Sequence, residues 1–304
     1  MTSKLLVVGS VAFDTIQTRA GKVEEALGGS ATYVSLAASR FAGVNLVGVV
    51  GEGDFPQEHV TLLKSRGVDV AGLERAKGRT FRWSGVYADD FSSRTTLDTQ
   101  LGVFESFDPK IPAPYLDSRY VLLGNIHPAL QLKVLDALPR AEFVAADTMN
   151  LWINVTRPEL ERVVSRVHLL VVNDEESFLL TGERQVRLAA DRILAMGPSA
   201  VIIKRGEHGA LLFTRDSVFY TPGLPLPEVV DPTGAGDTFA GGLLGYLAGE
   251  SAHDVASIRR GMLYGTALAS YAVQGFGVTP LTNLTRAQID SRYDEVRKLT
   301  SVEG

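Results

Sequence analysis

Short runs of apolar, mostly β-branched residues alternate with helical patterns along most of this chain, and that alternation constrains the fold more than any other feature. The predicted strands are Leu5–Val8, Leu46–Val50, Tyr120–Leu123, Phe143–Ala146, Leu169–Val172, Ala200–Lys204 and Ala210–Phe213. Several of these runs are apolar throughout, as expected for strands that helices cover on both faces. The pattern predicts an α/β fold with a mostly parallel central sheet between two layers of helices.

The helical patterns separate these strands in nearly regular order. They lie near residues 30–42, 56–66, 129–138, 157–166, 174–181, 185–196, 237–248, 253–273 and 285–299. Ligands of open parallel sheets bind beyond the carboxyl ends of the strands, so polar residues that directly follow a strand are the first site candidates. Because no linker or low-complexity tract divides the sequence, we expect one domain over residues 1–304.

One segment interrupts the alternation. Within Thr80–Leu101, the aromatic residues Phe81, Trp83 and Tyr87 alternate with other residues, and the turn-forming stretch 88–93 follows. The pattern predicts a β-hairpin inserted into the α/β domain. Such an aromatic face covers a ligand or a second subunit, or it packs only on its own domain.

Composition excludes several classes of protein. The 304 residues include no Cys, which rules out disulfides, thiolate catalysis and Cys-based zinc sites. The formal net charge of −5 argues against a general binder of nucleic acid or of membrane surfaces. No apolar run approaches the roughly 20 residues of a transmembrane helix. Residues 1–4 lead directly into a strand, so we expect no secretory leader and a cytoplasmic location.

Residues 229–239, VVDPTGAGDTF, place two glycines before a carboxylate where an apolar helix begins. The first turn of a helix has N–H groups without internal partners, and Gly234 and Gly236 let an oxyanion approach them. The segment therefore predicts an anion site. Asp237 would repel that anion, unless it is a general base that deprotonates a hydroxyl attacking a bound phosphoryl group. The alternative is an ordinary glycine-rich turn with a helix cap.

The helix after this segment is expected to be amphipathic. Its apolar face would comprise Phe239, Leu243, Leu244 and Leu247, which recur at helical spacing.

The same segment also carries a resemblance to a known family. Residues 231–241, DPTGAGDTFAG, closely resemble the C-terminal signature of the ribokinase-like (PfkB) carbohydrate kinases. Further matches stand in the family's order near residues 14, 28–43, 173–176 and 204–209, so the resemblance covers nearly the whole chain. It implies a three-layer α/β/α ribokinase-like fold. It also implies a small β lid, here about 12–27 and 80–101, that closes over the sugar and in many members forms the dimer contact.

The N-terminal match concerns the phosphate acceptor. Gly28 and Gly29 precede a helix and leave room for polyol oxygens to reach backbone donors, and Ser30 is the expected N-cap. Ribokinase-type members carry an Asn a few residues further on, which touches the sugar. This chain has Thr32 and Tyr33 there, so the resemblance leaves ribose specificity open.

Asp14 follows the first strand and matches the family's sugar-binding Asp. A carboxylate accepts hydrogen bonds from two hydroxyls at once, which suits a diol. Without the resemblance, the residue types favour a solvated loop Asp.

Asn173 and Glu176 match the family's Asn-x-x-Glu motif, whose residues organise Mg²⁺ and phosphate oxygens, mostly through water. Mg²⁺ prefers oxygen ligands and keeps several waters, so few side chains are needed. The alternative is a helix cap by Asn173 or Asp174, and both interpretations are compatible.

Further nucleotide-side candidates are Lys204, Gly206, Gly209, Gly275 and Gly277. Gly206 matches the position where related kinases pass their backbone along the nucleotide, and Lys204 or Arg205 could neutralise phosphates. The stretch 274–278 resembles the loop that closes the family's adenine pocket and monovalent-cation site. Asp231 is the matching candidate ligand for K⁺.

Together these features predict an ATP- and Mg²⁺-dependent phosphotransferase, with K⁺ as a further candidate cofactor, that phosphorylates a hydroxyl of a sugar or sugar-like polyol. The N–H groups of Gly234, Ala235 and Gly236 are expected to stabilise the transferring phosphoryl group. A nucleoside kinase of the same family and a nucleotide-binding regulator without turnover are the alternatives. A second copy bound through the lid is the expected protein partner. His127, Asp147 and Asn150 also stand at or soon after strand ends, and the sequence assigns them no role.

Overall fold

A computed structural model of the protein describes residues 4–301. The ends of the expected domain, at residues 1 and 304, and most of the segment that the leader prediction concerned therefore lie outside the described residues. Within residues 4–301, no helix combines the length and the apolar character needed to cross a bilayer.

The strands form a large sheet and a small sheet. They are β1 (Leu5–Val8), β2 (Ala12–Thr18), β3 (Gly21–Gly28), β4 (Val44–Gly51), β5 (Val68–Ala76), β6 (Phe81–Tyr87), β7 (Arg94–Gln100), β8 (Tyr120–Leu123), β9 (Phe143–Asp147), β10 (Leu169–Asn173), β11 (Ala200–Lys204), β12 (Ala210–Thr214) and β13 (Val218–Thr221). The large sheet has the order β13-β12-β11-β10-β9-β8-β1-β4-β5. Its pairs are parallel from β11 to β5, whereas β12 and β13 are antiparallel.

Helices cover both faces of the large sheet. They are α1 (Ser30–Ala38), α2 (Gln57–Ser65), α3 (Pro128–Ala137), α4 (Asn150–Val155), α5 (Arg157–Val164), α6 (Asp174–Thr181), α7 (Val186–Met196), α8 (Ala235–Glu250), α9 (Val255–Ala272), α10 (Thr279–Thr282) and α11 (Arg286–Lys298). Successive side chains of β1 enter opposite cores: Leu5 and Val7 pack with α1 and α8, whereas Leu6 and Val8 pack with α3 and α5. The predicted three-layer α/β arrangement is confirmed.

The expectation that α8 is amphipathic is wrong, because Thr238–Ala248 are all buried. The helix lies between α1 and α9, so it has no solvent face over these residues. Its glycines permit this packing: a Cβ on Gly245 would lie 2.5 Å from the Cα of Ala38.

The small sheet has the order β3-β2-β6-β7 and contains the predicted hairpin. Strand β2 pairs in parallel with β6, with Asp14 opposite Trp83, and β6 pairs in antiparallel with β7. Because paired residues point to the same face of a sheet, the carboxylate of Asp14 and the indole of Trp83 share one face.

Candidate active site

Three neighbouring strands of the large sheet end in polar residues that the sheet places side by side. Asp147 ends β9, Asn173 ends β10 and Lys204 ends β11. The Nζ atom of Lys204 lies 3.6 Å from Oδ2 of Asp147, and these side chains are only 18% and 11% exposed. A nearly buried ion pair therefore stands at the carboxyl edge of the sheet, where ligands of such sheets bind.

The glycine-rich turn leads into α8 beside this ion pair. Gly234 is the N-cap in the left-handed region, with φ of 73°, and a Cβ there would overlap the ring of Tyr33. A Cβ on Gly236 would lie 3.0 Å from the Lys204 ammonium. The turn therefore depends on glycine for its shape and brings the start of α8 close to a cation.

Not all the expected N–H donors of this turn are free. Ala235 donates to the carbonyl oxygen of Pro232 at 3.2 Å. The N–H groups of Gly234, Gly236 and Asp237 have no acceptor among residues 4–301. The predicted anion site thus keeps two of its three donors and gains the N–H of Asp237.

Asp237 stands in the first turn of α8, among charges that change its pKa. Burial, and then the negative charge of Asp147, raise the pKa of its carboxyl from 3.8 to about 7, whereas Lys204 and Arg94 act in the opposite direction. A carboxyl with that pKa exchanges a proton near neutral pH, as a general base requires.

Glu176 belongs to the same electrostatic cluster. Burial and the charge of Asp147 raise the pKa of its carboxyl to about 7, whereas Lys204 opposes them. Burial lowers the pKa of Lys204, but the carboxylates of Asp147, Glu176 and Asp237 outweigh it, so the net direction is upward. The ammonium of Lys204 therefore interacts favourably with the carboxylates of Asp147, Glu176 and Asp237.

The Asn173–Glu176 motif forms a helix cap in addition to contributing to this cluster. The Oδ1 atom of Asn173 accepts from the N–H of Glu176 at 2.7 Å, and Oε2 of Glu176 accepts from the N–H of Asn173 at 2.8 Å. This capping box confirms the capping interpretation and holds the Glu176 carboxylate at the sheet edge.

Asp14 lies on β2, directly over the double glycine. A Cβ on Gly28 would overlap its carboxylate, and the N–H of Gly29 donates to it. Burial raises the pKa of Asp14 to about 7, with contributions from Asp231 and Asp237, while the Gly29 hydrogen bond opposes the change. The acceptor-side candidates Asp14, Gly28 and Gly29 are therefore in contact, and the charge of Asp237 reaches them.

The prediction that Ser30 is the N-cap of α1 is wrong. The N-cap is Gly29, and Ser30 is already helical. The N–H of Ser30 donates to Oγ of Ser10 at 3.0 Å, and the two hydroxyls lie 3.2 Å apart, so the Ser30 side chain joins two loops instead. Thr32 lies two residues further on, fully buried, and its hydroxyl has no partner among the described residues.

Asp231 links the glycine-rich turn to the loop that includes Gly277. Its Oδ1 accepts from the N–H of Thr233 at 2.9 Å and its Oδ2 from the N–H of Gly277 at 3.3 Å. The carboxylate is 1% exposed, burial raises its pKa, and no Lys or Arg of residues 4–301 pairs with it. Gly275 lies in the same loop, with its Cβ position against the ring of Pro280.

Gly206 and Gly209 form a tight turn immediately after Lys204. Both have positive φ, of 55° and 83°, and the N–H of Arg205 donates to the carbonyl oxygen of Gly209 at 2.8 Å. The Arg205 guanidinium lies 4.0 Å from Asp174, so it is oriented along the edge of the sheet. The turn therefore borders the Lys204 cluster.

Two further site residues come from the small sheet. The Tyr87 hydroxyl lies 3.1 Å from Oγ1 of Thr233, so β6 reaches the glycine-rich turn. Arg94 pairs with Tyr87 across β6 and β7, its guanidinium lies 5.1 Å from the centre of the Trp83 ring, and its charge favours ionisation of Asp14 and Asp237. The alternating pattern placed Tyr87 on the aromatic face but gave no signal for Arg94.

The three residues without an assigned role separate into two groups. Asp147 is part of the charged cluster. His127 is the N-cap of α3, where its Nδ1 accepts from the N–H of Ala129, and its ring packs against Trp152 at 5.1 Å. Asn150 begins α4, and its Oδ1 is buried without a partner among residues 4–301.

Comparison with known proteins agrees with this geometry. The model of the pfkB family of carbohydrate kinases matches residues 2–285. The chain is 35% identical to the cytidine kinase of Thermococcus kodakarensis, over 81% of this chain and 89% of that protein. It is 27% identical to the nucleoside kinase of Methanothermobacter thermautotrophicus, over 99% and 96% of the two chains.

The fold matches a solved structure as well. The crystal structure of aminoimidazole riboside kinase from Salmonella enterica, complexed with aminoimidazole riboside and an ATP analogue, superposes with a TM-score of 0.75 at 21% identity. It covers 95% of this chain and 99% of that one. The resemblance seen in residues 231–241 is confirmed, and this chain belongs to the PfkB family of carbohydrate kinases, phosphotransferases that act on a hydroxyl group.

Proposed function

We propose that this kinase moves the γ-phosphoryl group of ATP to a hydroxyl on the ribose of a nucleoside. The position of Asp237 carries the proposal for the transfer step. Its carboxylate stands in the first turn of α8, beside the unpaired N–H groups of Gly234 and Gly236 and close to Lys204. A proton acceptor and an anion site thus share one edge of the sheet, as phosphoryl transfer to an alcohol requires.

Asp237 is the proposed general base. With a pKa of about 7 it accepts the proton of the acceptor hydroxyl at neutral pH and releases it afterwards. The N–H groups of Gly234 and Gly236, together with the Lys204 ammonium, balance charge on the transferring group. Ala235 is left out of this donor set, because its N–H donates to the Pro232 carbonyl oxygen.

Glu176 and Asn173 are the proposed supports of Mg²⁺, through bound water. The donor chemistry fits, because carboxylate and amide oxygens suit this cation and Glu176 uses one of its two oxygens in the helix cap. The repulsion between Glu176 and Asp147, which raises the pKa of Glu176, is relieved by a nearby dication. Bound Mg²⁺ supplies neutralisation of the ATP phosphates.

The remaining nucleotide positions lie around this centre. We place the adenosine part of ATP between the turn Gly206–Gly209 and the loop Gly275–Gly277, since both border the anion site through Lys204 and Asp231. Asp231 is the proposed ligand of K⁺, because a buried carboxylate that no Lys or Arg of residues 4–301 pairs with gains most from a bound cation. Turnover in KCl compared with tetramethylammonium chloride tests the requirement for K⁺, and loss of that difference in Asp231→Asn tests the ligand.

The acceptor side favours a nucleoside. Asp14 accepts hydrogen bonds from ribose hydroxyls above Gly28 and Gly29, and the small sheet (12–28 and 81–100) acts as a lid. Asp14 and Trp83 lie on the same face of this lid, and the guanidinium of Arg94 lies over the Trp83 ring. These two side chains offer a stacking surface for a base. The relatives named cytidine kinase and nucleoside kinase point to the same acceptor class.

The experiment is release of ADP from MgATP, with K⁺ present, across nucleosides, free pentoses and hexoses, and cyclic polyols. The expected result is turnover with nucleosides that Asp237→Asn lowers by about 10²- to 10⁴-fold. Turnover with a free sugar or polyol alone would assign that acceptor instead. Bound ATP without turnover on any acceptor would favour a regulator.

The outer edge of the lid is the proposed contact with a second copy. Every residue of β7 is exposed, this strand ends the small sheet, and Leu97 is 61% exposed. An unpaired edge strand with an exposed Leu favours association. Sedimentation should show a dimer that Leu97→Lys dissociates, whereas Val155→Lys, at a position on α4 that is 62% exposed, leaves it intact.

A further inference from the structure

Gln131 is a fully buried residue of α3 whose amide lies at the carboxyl edge of the large sheet. Its side chain is 0% exposed, and its Nε2 atom donates to the carbonyl oxygens of Gly124 and Asp147, at 3.0 Å each. Both partners are acceptors, so only the NH₂ group of the amide fits between them, and both of its hydrogens are used. Because a buried amide is costly unless it is hydrogen-bonded, these two bonds fix where the side chain lies.

The amide joins two strands where their own pairing stops. Strands β8 and β9 pair as far as Leu123 and Ala146. Gly124 and Asp147 are the next residues, and Gln131 links their carbonyl oxygens through one nitrogen atom. On its other side, Asp147 is still paired with β10. The end of β9 is therefore held on one side by the sheet and on the other side by a side chain.

Asp147 presents its carboxylate to the charged cluster from this fixed position. Its Oδ1 accepts from the N–H of Thr148 at 2.9 Å, and its Oδ2 lies 3.6 Å from Nζ of Lys204. After burial, the charge of Asp147 is the largest cause of the raised pKa of Asp237. A displacement of the end of β9 therefore changes the negative charge that Asp237 meets, since a Coulomb energy depends on distance.

Asp237 also meets titratable groups from other elements. Lys204 of β11 and Arg94 of β7 favour its ionisation, and its own charge raises the pKa values of Asp14 on β2 and Tyr33 on α1. Among residues 4–301, the Gln131 amide donates to the two strand ends and to none of these groups. Its influence on Asp237 therefore passes through Asp147.

We propose that Gln131 is a positioning residue for the transfer step, whose amide holds the end of β9 so that the Asp147 carboxylate faces Lys204 and the proposed base. This inference rests on the proposed function for the role of Asp237. Gln131 needs no contact with the nucleotide or the acceptor for this role. Removing its amide should therefore matter only while the Asp147 carboxylate is present.

The test is a double-mutant cycle between Gln131 and Asp147. Gln131→Met removes both N–H donors, keeps a side chain of similar length, and is made in the wild type and in Asp147→Asn. Gln131→Glu is the second variant, because burial favours its protonated form, which has one hydrogen to donate instead of two. Val134→Ala is the control, since Val134 lies on the same helix, is 1% exposed and has no polar side-chain atom.

Two measurements are made on each protein. One is the acid limb of kcat/KM for the acceptor that the wild type phosphorylates. The other is the NMR signal of the Asp237 carboxyl carbon as a function of pH without substrate, assigned by its loss in Asp237→Asn. The second measurement needs no turnover, so it reports on the surroundings of Asp237 whatever its role in the reaction.

Gln131→Met should move both midpoints toward lower pH by about half a pH unit, the change expected at an effective dielectric constant of about 20 when a unit charge recedes from about 6 Å to about 8 Å. In the Asp147→Asn background the same substitution should move neither midpoint, because the charge that it displaces is gone. Gln131→Glu should move both midpoints in the same direction by less. Val134→Ala should move neither, even if it unfolds at a lower temperature.

An unchanged NMR midpoint in Gln131→Met, an equal shift in the Asp147→Asn background, or the same shift in Val134→Ala would overturn the inference. Failure of the proposed function gives a different result. If the NMR midpoint moves in Gln131→Met and the kinetic limb does not, Gln131 positions Asp147 as inferred, but Asp237 is not the base of the reaction.

Discussion

Replacing Asp147 by Asn should move the pH dependence of the reaction toward lower pH. Asp147 lies 3.6 Å from Lys204, and after burial its charge is the largest cause of the raised pKa of Asp237. If Asp237 must be ionised to act as a base, kcat/KM in the wild type falls about tenfold per pH unit below about pH 7. Removing a neighbouring negative charge makes ionisation easier, so the decline begins at a lower pH.

The size of this displacement can be estimated from Coulomb's law. At an effective dielectric constant of about 20, a unit charge about 6–12 Å away changes the free energy of ionisation by about 1–3 kcal/mol. That corresponds to about one to two pH units. Freeing Lys204 from its ion pair acts in the same direction, because the ammonium then favours ionised Asp237 more strongly. We therefore expect the midpoint of the acid limb near about pH 5–6 in Asp147→Asn.

The assay is ADP release at acceptor concentrations well below KM, from about pH 5 to about pH 9 at constant ionic strength. Lys204→Met is the variant of opposite sign, since it removes a cation that favours ionisation, and its limb should move above about pH 7. Two other site carboxyls, those of Glu176 and Asp14, also have a pKa of about 7. Glu176→Gln removes the first of these, and its acid limb should persist. Identical midpoints in wild type, Asp147→Asn and Lys204→Met would refute the assignment of the limb to Asp237.

Three further predictions use matched variants. Gly234→Ala should lower kcat/KM by about 5- to 150-fold, because the new Cβ brings about 1–3 kcal/mol of backbone strain and overlaps the ring of Tyr33. In Gly236→Ala the new Cβ meets only the flexible end of Lys204, so kcat/KM should fall less. A larger loss of kcat/KM in Gly236→Ala would contradict this ranking. Glu176→Gln keeps the helix cap and should raise the Mg²⁺ concentration for half-maximal rate by about tenfold. Its melting temperature should not fall below that of the wild type, whereas Glu176→Ala should lose about 1 kcal/mol of stability with the cap. Equal Mg²⁺ titrations in all three proteins would argue against the Mg²⁺ role. The folded pKa of Asp237 is above its unfolded value, so the stability that its carboxyl contributes is present below about pH 4 and is lost as the pH rises through about 7. Asp237→Asn should therefore be more stable than the wild type near pH 8, by at most about 4 kcal/mol, and as stable as the wild type near pH 4. Thermal denaturation at both pH values checks this prediction.

The parts of the fold that the sequence predicts well are those whose pattern is local. The strands β1, β8 and β10 are apolar on both faces, and a short run is enough to recognise them. Strands β5 and β13 were missed because they lie at the edges of the large sheet and mix exposed polar residues with apolar ones.

Helix α8 shows what a local sequence pattern does not predict. Its apolar spacing fits an amphipathic helix, and only the positions of α1 and α9 reveal that residues 238–248 are covered on all sides. Burial on the second face is a tertiary property, and a periodicity within one helix does not contain it.

The site also contains residues that a local pattern predicts and residues that only the tertiary fold brings together. Asp237, Gly234 and Asn173 could be predicted, because they lie within contiguous motifs next to a predicted helix or strand. The ion pair between Lys204 and Asp147 depends on the lateral order of three strands, which the sequence does not encode locally. Arg94 reaches the site from a different sheet altogether.

The most direct test of the central claim follows radiolabelled γ-phosphate from ATP to cytidine with the wild type and Asp237→Asn, alongside MgATP binding by both proteins. We expect labelled cytidine monophosphate from the wild type, a rate lower by about 10²- to 10⁴-fold in the variant, and MgATP binding by both. Transfer by Asp237→Asn at the wild-type rate would contradict the role of Asp237 as the general base.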